Sequence, residues 1–294
     1  MVSLGELRRR AAAELLAHGC DSPKADTDVL LRRLLGFDKT DIILGARSVT
    51  DEQEAVFNAA LARLKCGEPV QYVTGVCEFM SLDFRVSRDT LIPRADTEIL
   101  VEAVIGMCRG IPAPNILDIG CGSGCISVSL ARYIRGSRIV GADISDGALD
   151  IAAQNAALNR VQDQIDFVKC DIMRDFPECP SDGGFDVIVS NPPYIPPRDI
   201  ERLASKVRDF EPRHALDGGE DGLDFYRRIV SAARLKRGGI LAFEVGIGQA
   251  EDVRALMQSR FENITIIKDL SGTDRVVTGF LQNRDTDRNG QNLK

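Results

Sequence analysis

Hydrophobic residues recur along this chain in two rhythms. Over the N-terminal stretch they fall at helical spacing: Leu7, Ala11 and Leu15 behind a Ser3-x-x-Glu6 cap, Val29, Leu30 and Leu34 between Ser22-Pro23 and Gly36, and Phe57, Ala60, Leu61 and Leu64 behind Thr50-x-x-Gln53. Steps of three and four put one apolar stripe on each helix, and the caps and glycines mark its ends. The pattern predicts a small N-terminal helical bundle over 1–67, closed by Gly67 and Pro69. From 68 to 90 the rhythm changes to alternation, with Phe79, Leu82, Phe84 and Val86 on one side, which predicts a linking β-hairpin.

Beyond 91 the two rhythms take turns. A helix is predicted over 96–108, with Ile99, Val101 and Val104 inward. Short β-branched runs then give strands at 115–119, 138–142, 164–169, 185–189, 239–245, 264–269 and 275–281, with helices predicted at 125–133, 146–158 and 221–235. Such alternation predicts an α/β doubly wound sheet over 91–283 that binds ligands at the carboxyl ends of its strands. A short connection containing Ser271-Gly272-Thr273 separates the last two strands, so the final one should run antiparallel. Residues 284–294 are polar and are expected to be a disordered tail.

Composition narrows the classes. No apolar run approaches the roughly 18 residues that span a bilayer, and the N-terminus has no signal-peptide pattern, so a soluble cytoplasmic protein without membrane contact is expected. Eight cysteines without a Cys-x-x-Cys pair and only two histidines argue against a metal site and against a disulfide framework. The net charge is −7, and the ten basic residues of 1–67 are matched by ten acidic ones. That balance gives no footprint for direct nucleic-acid binding.

Candidate chemistry sits in turns at strand ends. Gly120-Cys121-Gly122-Ser123-Gly124 leads from a strand into a helix, where glycines allow unusual φ and close approach of a ligand. The next strand ends in Asp143, placed to accept both hydroxyls of a ribose. Cys125 stands where a dinucleotide site has its last glycine, and no Lys-Ser/Thr pair follows, so a nucleoside without phosphates suits this turn better. Asp171 could accept from an adenine amino group with Ile172 on the ring; the alternative for Asp171 is a helix N-cap. Asn191-Pro192-Pro193-Tyr194 ends another strand. Two prolines lack N–H groups and hold Asn191 extended, leaving the Asn191 side-chain oxygen and the Pro192 carbonyl to accept the hydrogens of a planar NH2 group. Tyr194 could pack on the flat face of that group. A strand-ending turn is the other reading of the tetrapeptide.

Taken together these segments resemble class I, seven-stranded S-adenosylmethionine-dependent methyltransferases with a Rossmann-like mixed sheet, and more narrowly the HemK/PrmC family. The resemblance runs from about Pro69 to Gly279 and is carried by the segments 91–98 (Leu-Ile-Pro-Arg-Ala-Asp-Thr-Glu), 118–124, 190–194, 211–222, 244–246 and 274–277. It departs from the family at Cys121, where threonine is common. The resemblance implies methylation of the side-chain amide nitrogen of the glutamine in the Gly-Gly-Gln loop of peptide chain release factors, with S-adenosyl-L-methionine converted to S-adenosyl-L-homocysteine. Gly120, Cys121, Gly122, Ser123, Gly124, Asp143, Asp171, Ile172 and Asn191 would then hold the cofactor. Asn191, Pro192, Pro193 and Tyr194 would hold the glutamine amide, with Asn191, Pro192 and Tyr194 the catalytic set, and no metal is implied. The release factor is the expected partner of a monomeric enzyme, and 1–67 its recognition domain. The 195–222 segment, with Arg198, Arg202, Lys206, Arg208 and Arg213, is read as a lid, against the alternative of a solvated loop. The alternative function is N6-adenine methylation of DNA or RNA, since an adenine amino group suits the same pair of acceptors.

Overall fold

The apolar alternation becomes a sheet covered on both faces. The structure, a computed structural model, describes residues 2–282, so the tail predicted over 284–294 lies outside it, and divides into two compact units: 2–76 with Val86–Arg88 and Leu203–Glu211, and Cys77–Arg85 with Asp89–Arg202 and 212–282.

In the smaller unit, β1 (Val2–Ser3) pairs antiparallel with β2 (Ser48–Val49), and helices α1 (Leu4–Ala17), α2 (Pro23–Leu35), α3 (Lys39–Leu44), α4 (Asp51–Lys65) and α5 (Val70–Thr74) pack around them. Ser3 Oγ accepts from the Glu6 amide at 3.2 Å, and Thr50 and Gln53 cap α4 reciprocally. Gly36 ends α2 in the left-handed region. Leu7, Leu15, Leu30, Leu31 and Phe57 are fully buried in one core. The structure adds α3, β1, β2 and α5 to the helices that periodicity predicted; each is too short to carry a period.

In the larger unit the hairpin of β3 (Val76–Phe79) and β4 (Leu82–Arg85) turns on Met80 and Ser81, both at positive φ. Two left-handed residues match the twist of the strands, and here no glycine announces the turn. The Met80 amide donates to Glu98 at 2.6 Å and the Met80 carbonyl accepts from Tyr133 at 2.7 Å, contacts that hold this conformation. Next come α6 (Ala95–Met107), β5 (Asn115–Ile119), α7 (Cys125–Tyr133), β6 (Arg138–Asp143), α8 (Asp146–Leu158), β7 (Ile165–Lys169) and β8 (Phe185–Ser190). They are followed by the single turns α9 (Pro197–Ile200) and α10 (Ser205–Arg208), then α11 (Asp224–Ala232), β9 (Leu235–Glu244), α12 (Ala250–Met257), β10 (Phe261–Lys268) and β11 (Asp274–Leu281).

Seven strands form one mixed sheet in the order β10-β11-β9-β8-β5-β6-β7, with β11 antiparallel to both its neighbours as the short final connection predicts. Successive residues feed opposite faces. Ile116, Val187 and Ala242 pack with α6 and α7, whereas Leu117, Ile188 and Leu241 pack with α11 and α12. The predicted helix 221–235 is shorter at both ends, and β9 starts four residues before the predicted strand. Leu235 pairs with Phe185, then Lys236 to Gly239 bulge out before Ile240 pairs with Val187. Helix α12 was absent from the predicted elements. Among the described residues no helix is long and apolar enough to cross a membrane.

Candidate functional site

From β5 the chain runs outward through β6 and β7, then returns to lay β8 and β9 on the other side. The strand order therefore reverses between β5 and β8, and a doubly wound sheet opens a crevice outside the carboxyl ends at such a point. A cleft of about 910 Å³, counting its open mouth, lies there. Its walls include Gly120 and Gly122 after β5, Asp143 and Ile144 after β6, Asp171 and Ile172 after β7, and Asn191, Pro192 and Pro193 after β8. Cys121, Ser123, Gly124 and Tyr194, also singled out from the sequence, stand behind this lining. Asp89, Leu91, His214, Ala215 and Phe225 line the cleft without having been named as site residues. Leu91, His214 and Ala215 fall within the 91–98 and 211–222 segments, but nothing in those segments marks which side chains face a cleft, and neither periodicity nor motif marks Asp89 or Phe225.

The glycine turn is held from within. The Gly120 and Cys121 amides both donate to the Ala142 carbonyl, at 2.8 and 3.0 Å, and the Gly122 amide donates to Asp143 Oδ2 at 2.8 Å. Ser145 donates its amide to Asp143 Oδ1 at 3.0 Å, so this carboxylate is oriented by backbone donors on both oxygens. Gly124 caps α7 at φ +75°, and a Cβ there would meet Ala152 Cβ at 3.0 Å. A glycine cap offers no side chain to the free amides of the first turn. Asp118 takes that role from within β5: its Oδ2 accepts from the Ser127 amide at 3.0 Å and from Ser127 Oγ at 2.6 Å. Burial, with a smaller push from Asp143, raises the Asp118 carboxyl to about 7. Burial also pushes the Cys121 thiol well up. Asn155 on α8 donates to the Ser123 carbonyl at 2.8 Å and exchanges hydrogen bonds with the Arg85 backbone.

At Asp171 the side chain accepts from the Met173 amide at 3.1 Å and pairs with Arg174 at 3.2 Å, which closes a short turn; Ile172 is buried beside it. The tetrapeptide is braced from below. The Ile195 amide donates to the Leu216 carbonyl at 2.9 Å and the Ile195 carbonyl accepts from the Gly218 amide at 3.0 Å, Gln249 Nε2 donates to the Tyr194 carbonyl at 3.0 Å, and a Cβ on Gly218 would come within 2.6 Å of Tyr194 Cα. Tyr194 itself packs into the core beside Gly246, and burial, with Glu244 second, pushes its hydroxyl up to about 12. Asn191 Nδ2 donates to Thr97 Oγ1 at 3.2 Å. Among the described residues, Asn191 Oδ1 and the Pro192 carbonyl have no hydrogen-bond partner. The 195–222 segment is not one loop: Leu203–Glu211 belongs to the smaller unit, where Lys206 pairs with Asp21 at 2.7 Å and Arg88 lies 5.1 Å over the Phe210 ring.

This sheet order, with an antiparallel last strand and a cleft between glycine turn and tetrapeptide, defines a class I methyltransferase. A methyltransferase-domain family matches residues 116–210, and a family described as PrmC N-terminal domain matches 6–75. The release factor glutamine methyltransferase of Geobacter sulfurreducens is 41% identical over 90% of this chain and 92% of its own length. That of Chlorobaculum tepidum is 36% identical over 95% and 98%. Among solved structures, the hMettl16 catalytic domain in complex with the MAT2A 3'UTR hairpin 6 superposes with a TM-score of 0.53 at 16% identity, over 83% of this chain and 87% of that one, a likeness of fold. At the identities of the two curated relatives the chain belongs to the release factor glutamine methyltransferase family.

Proposed function

We propose that this chain transfers a methyl group from S-adenosyl-L-methionine to the side-chain amide nitrogen of the glutamine in the Gly-Gly-Gln loop of a peptide chain release factor. The observation that carries this reading is the pair of unpartnered acceptors, Asn191 Oδ1 and the Pro192 carbonyl, on a braced corner of the cleft.

The walls suit the proposed cofactor. Asp89, Asp143 and Asp171 line the cleft, and the described lining includes neither lysine nor arginine, which favours a cation without phosphates. Asp143 would accept the ribose hydroxyls, Asp171 would accept from the adenine amino group, and Ile172 would cover the ring. Gly120 to Gly124 would hold the methionine part. S-adenosylmethionine supplies a methyl group made electrophilic by its sulfonium, and S-adenosylhomocysteine is the product.

The protein's own task is orientation. Asn191 and Pro192 each take one hydrogen of the glutamine NH2, which aims the weak nitrogen lone pair into the cleft and favours the positive charge that grows there. The nitrogen gains the methyl and loses a proton to water, so no general base is needed. Correct positioning of two reactants can remove about 7–11 kcal/mol of barrier. Pro193 keeps the corner stiff, and Tyr194 anchors it from the core. The N-terminal helical unit recognises the release factor, a soluble cytoplasmic translation factor.

Incubation with labelled S-adenosylmethionine, a release factor and total RNA tests the assignment. Mass spectrometry should find one methyl on the glutamine of the Gly-Gly-Gln loop. Label on adenine in the RNA, and none on protein, would instead support the N6-adenine reading.

A further inference from the structure

A carboxamide can grip a ligand in two opposite ways, because it carries an acceptor on one side and two donors on the other. Which side of Asn191 faces the cleft is therefore decided by what lies behind it. Nδ2 donates to Thr97 Oγ1 at 3.2 Å, and Ser190 pairs with Phe243 across β8 and β9, so that Asn191 and Glu244, the next residues, stand side by side. Hydrogen bonding from Thr97 and from Asn191 opposes the upward push of burial on the Glu244 carboxyl. Thr97, in the first turn of α6, and Glu244, the last residue of β9, are each only 2% exposed. Glu244 Oε2 has no partner among the described residues. An ionised carboxylate can only accept. Its charge turns the Thr97 hydrogen toward Glu244, leaves the Thr97 lone pairs for the Asn191 NH2, and so leaves the Asn191 oxygen for the cleft.

We propose that Glu244, acting through Thr97, is a positioning residue that sets which way round the Asn191 carboxamide stands. The inference rests on the reading of Asn191 as the amide grip and adds what makes that grip one-directional. With the carboxamide inverted, Asn191 would offer N–H groups to the N–H groups of the substrate, a repulsive pairing that no glutamine or adenine could accept.

The same arrangement carries a pH dependence. Facing Glu244 are Arg275 of β11, Asp96 of α6, Tyr194, Tyr226 of α11 and Cys125 of α7. Arg275 is shared with Asp96 at 3.0 Å and Asp269 at 3.1 Å, which weakens its hold on Glu244. Burial, helped by Asp96 and opposed by Thr97 and Arg275, raises the Glu244 carboxyl to about 7. Once protonated it becomes a donor and no longer dictates the chain of hydrogen bonds. Turnover should therefore fall on the acid side of about 7 and level off above it.

The test uses the intact enzyme with a release factor and S-adenosylmethionine, following kcat from pH 5.5 to 9 and cofactor affinity by calorimetry. Glu244→Gln, which keeps shape but adds a donor, should lower kcat at least tenfold at pH 8, leave cofactor Kd within twofold, and abolish the acid limb. An acid limb that persists in this variant would assign the titration to another group and overturn the proposal. Thr97→Val should lose turnover in the same way and Thr97→Ser should recover most of it, a contrast that holds if Glu244→Gln fails to fold. Equal turnover in Thr97→Val and Thr97→Ser also overturns it. A wild-type enzyme that labels no glutamine would sink the reading of the site itself, whereas normal labelling by wild type, Glu244→Gln and Thr97→Val alike would sink only this inference.

Discussion

At the scale of single residues, the roles assigned to Asn191 and Asp143 separate experimentally. Asn191→Ala removes one preorganised contact to the growing charge, a loss that costs about 10²–10³ in kcat where such contacts are removed from other enzymes. Cofactor Kd, measured by calorimetry, should stay within a few-fold. Asp143→Ala should do the reverse, weakening cofactor binding at least tenfold with a smaller effect on kcat at saturation; an Asn191→Ala variant that loses the cofactor but keeps its rate would reverse these assignments. Asp118 makes a stability prediction. Its carboxyl lies near 3.8 when unfolded and is raised to about 7 in the fold, so the folded state binds the proton more tightly. That contribution is complete below about 3.8 and is lost as pH rises through about 7. Asp118→Asn, which keeps an acceptor for Ser127, should therefore stabilise the fold more at pH 8 than at pH 4, by on the order of a few kcal/mol, read as a larger upward shift in melting temperature at pH 8. Equal shifts at both pH values would refute this. Asn191, Asp143 and the glycine turn were legible because each stands at the end of a readable strand. Asn155, Thr97 and Glu244 do their work through partners remote in sequence: Asn155 reaches Arg85 across 70 positions and Asn191 reaches Thr97 across 94. No local pattern encodes such pairs.

At the scale of elements, legibility followed length. Sheet strands and long helices repeat their apolar period often enough to be recognised, and these place the cleft. Helix α12 did carry a signal, since Ala250, Val253 and Met257 are buried at spacings of three and four, but its eight residues hold barely two turns. Lys236 to Gly238 fell between the predicted elements because a bulge inside a strand has the same composition as a loop. The hairpin turn at Met80-Ser81 was hidden for the opposite reason, because tertiary hydrogen bonds hold a conformation that residue preference disfavours. The segment 216–222 illustrates what an element does for a neighbour. Gly218 lies so close under Tyr194 that Gly218→Ala forces the tetrapeptide backbone to move. Overpacking of this kind costs about 1–3 kcal/mol. The variant should show a lowered melting temperature and a tenfold or greater loss of kcat with cofactor affinity largely kept; full activity would mean that the corner needs no brace.

At the scale of the whole molecule, the chain builds two separate kinds of core. The helical unit buries Leu4, Leu7, Leu30, Leu31 and Phe57 among themselves, and the sheet unit buries its own apolar layers on each face. Sequence periodicity distinguished these regions, but it could not assign Leu203–Glu211 to the smaller unit, because that assignment depends on Lys206 meeting Asp21 and Phe210 meeting Arg88 far along the chain. The proposed cofactor site is built wholly from residues of the larger unit. A ligand stabilises only what it binds in the folded state, by about 2.7 kcal/mol at one hundred times its Kd. For a unit of this size that corresponds to roughly 5–10 °C in melting temperature. Scanning calorimetry with S-adenosylhomocysteine should therefore raise the transition of the larger unit by that amount and leave the transition of the helical unit where it is. A single transition that moves as one would show instead that the two cores melt together, and that the helical unit senses the cofactor before any release factor arrives.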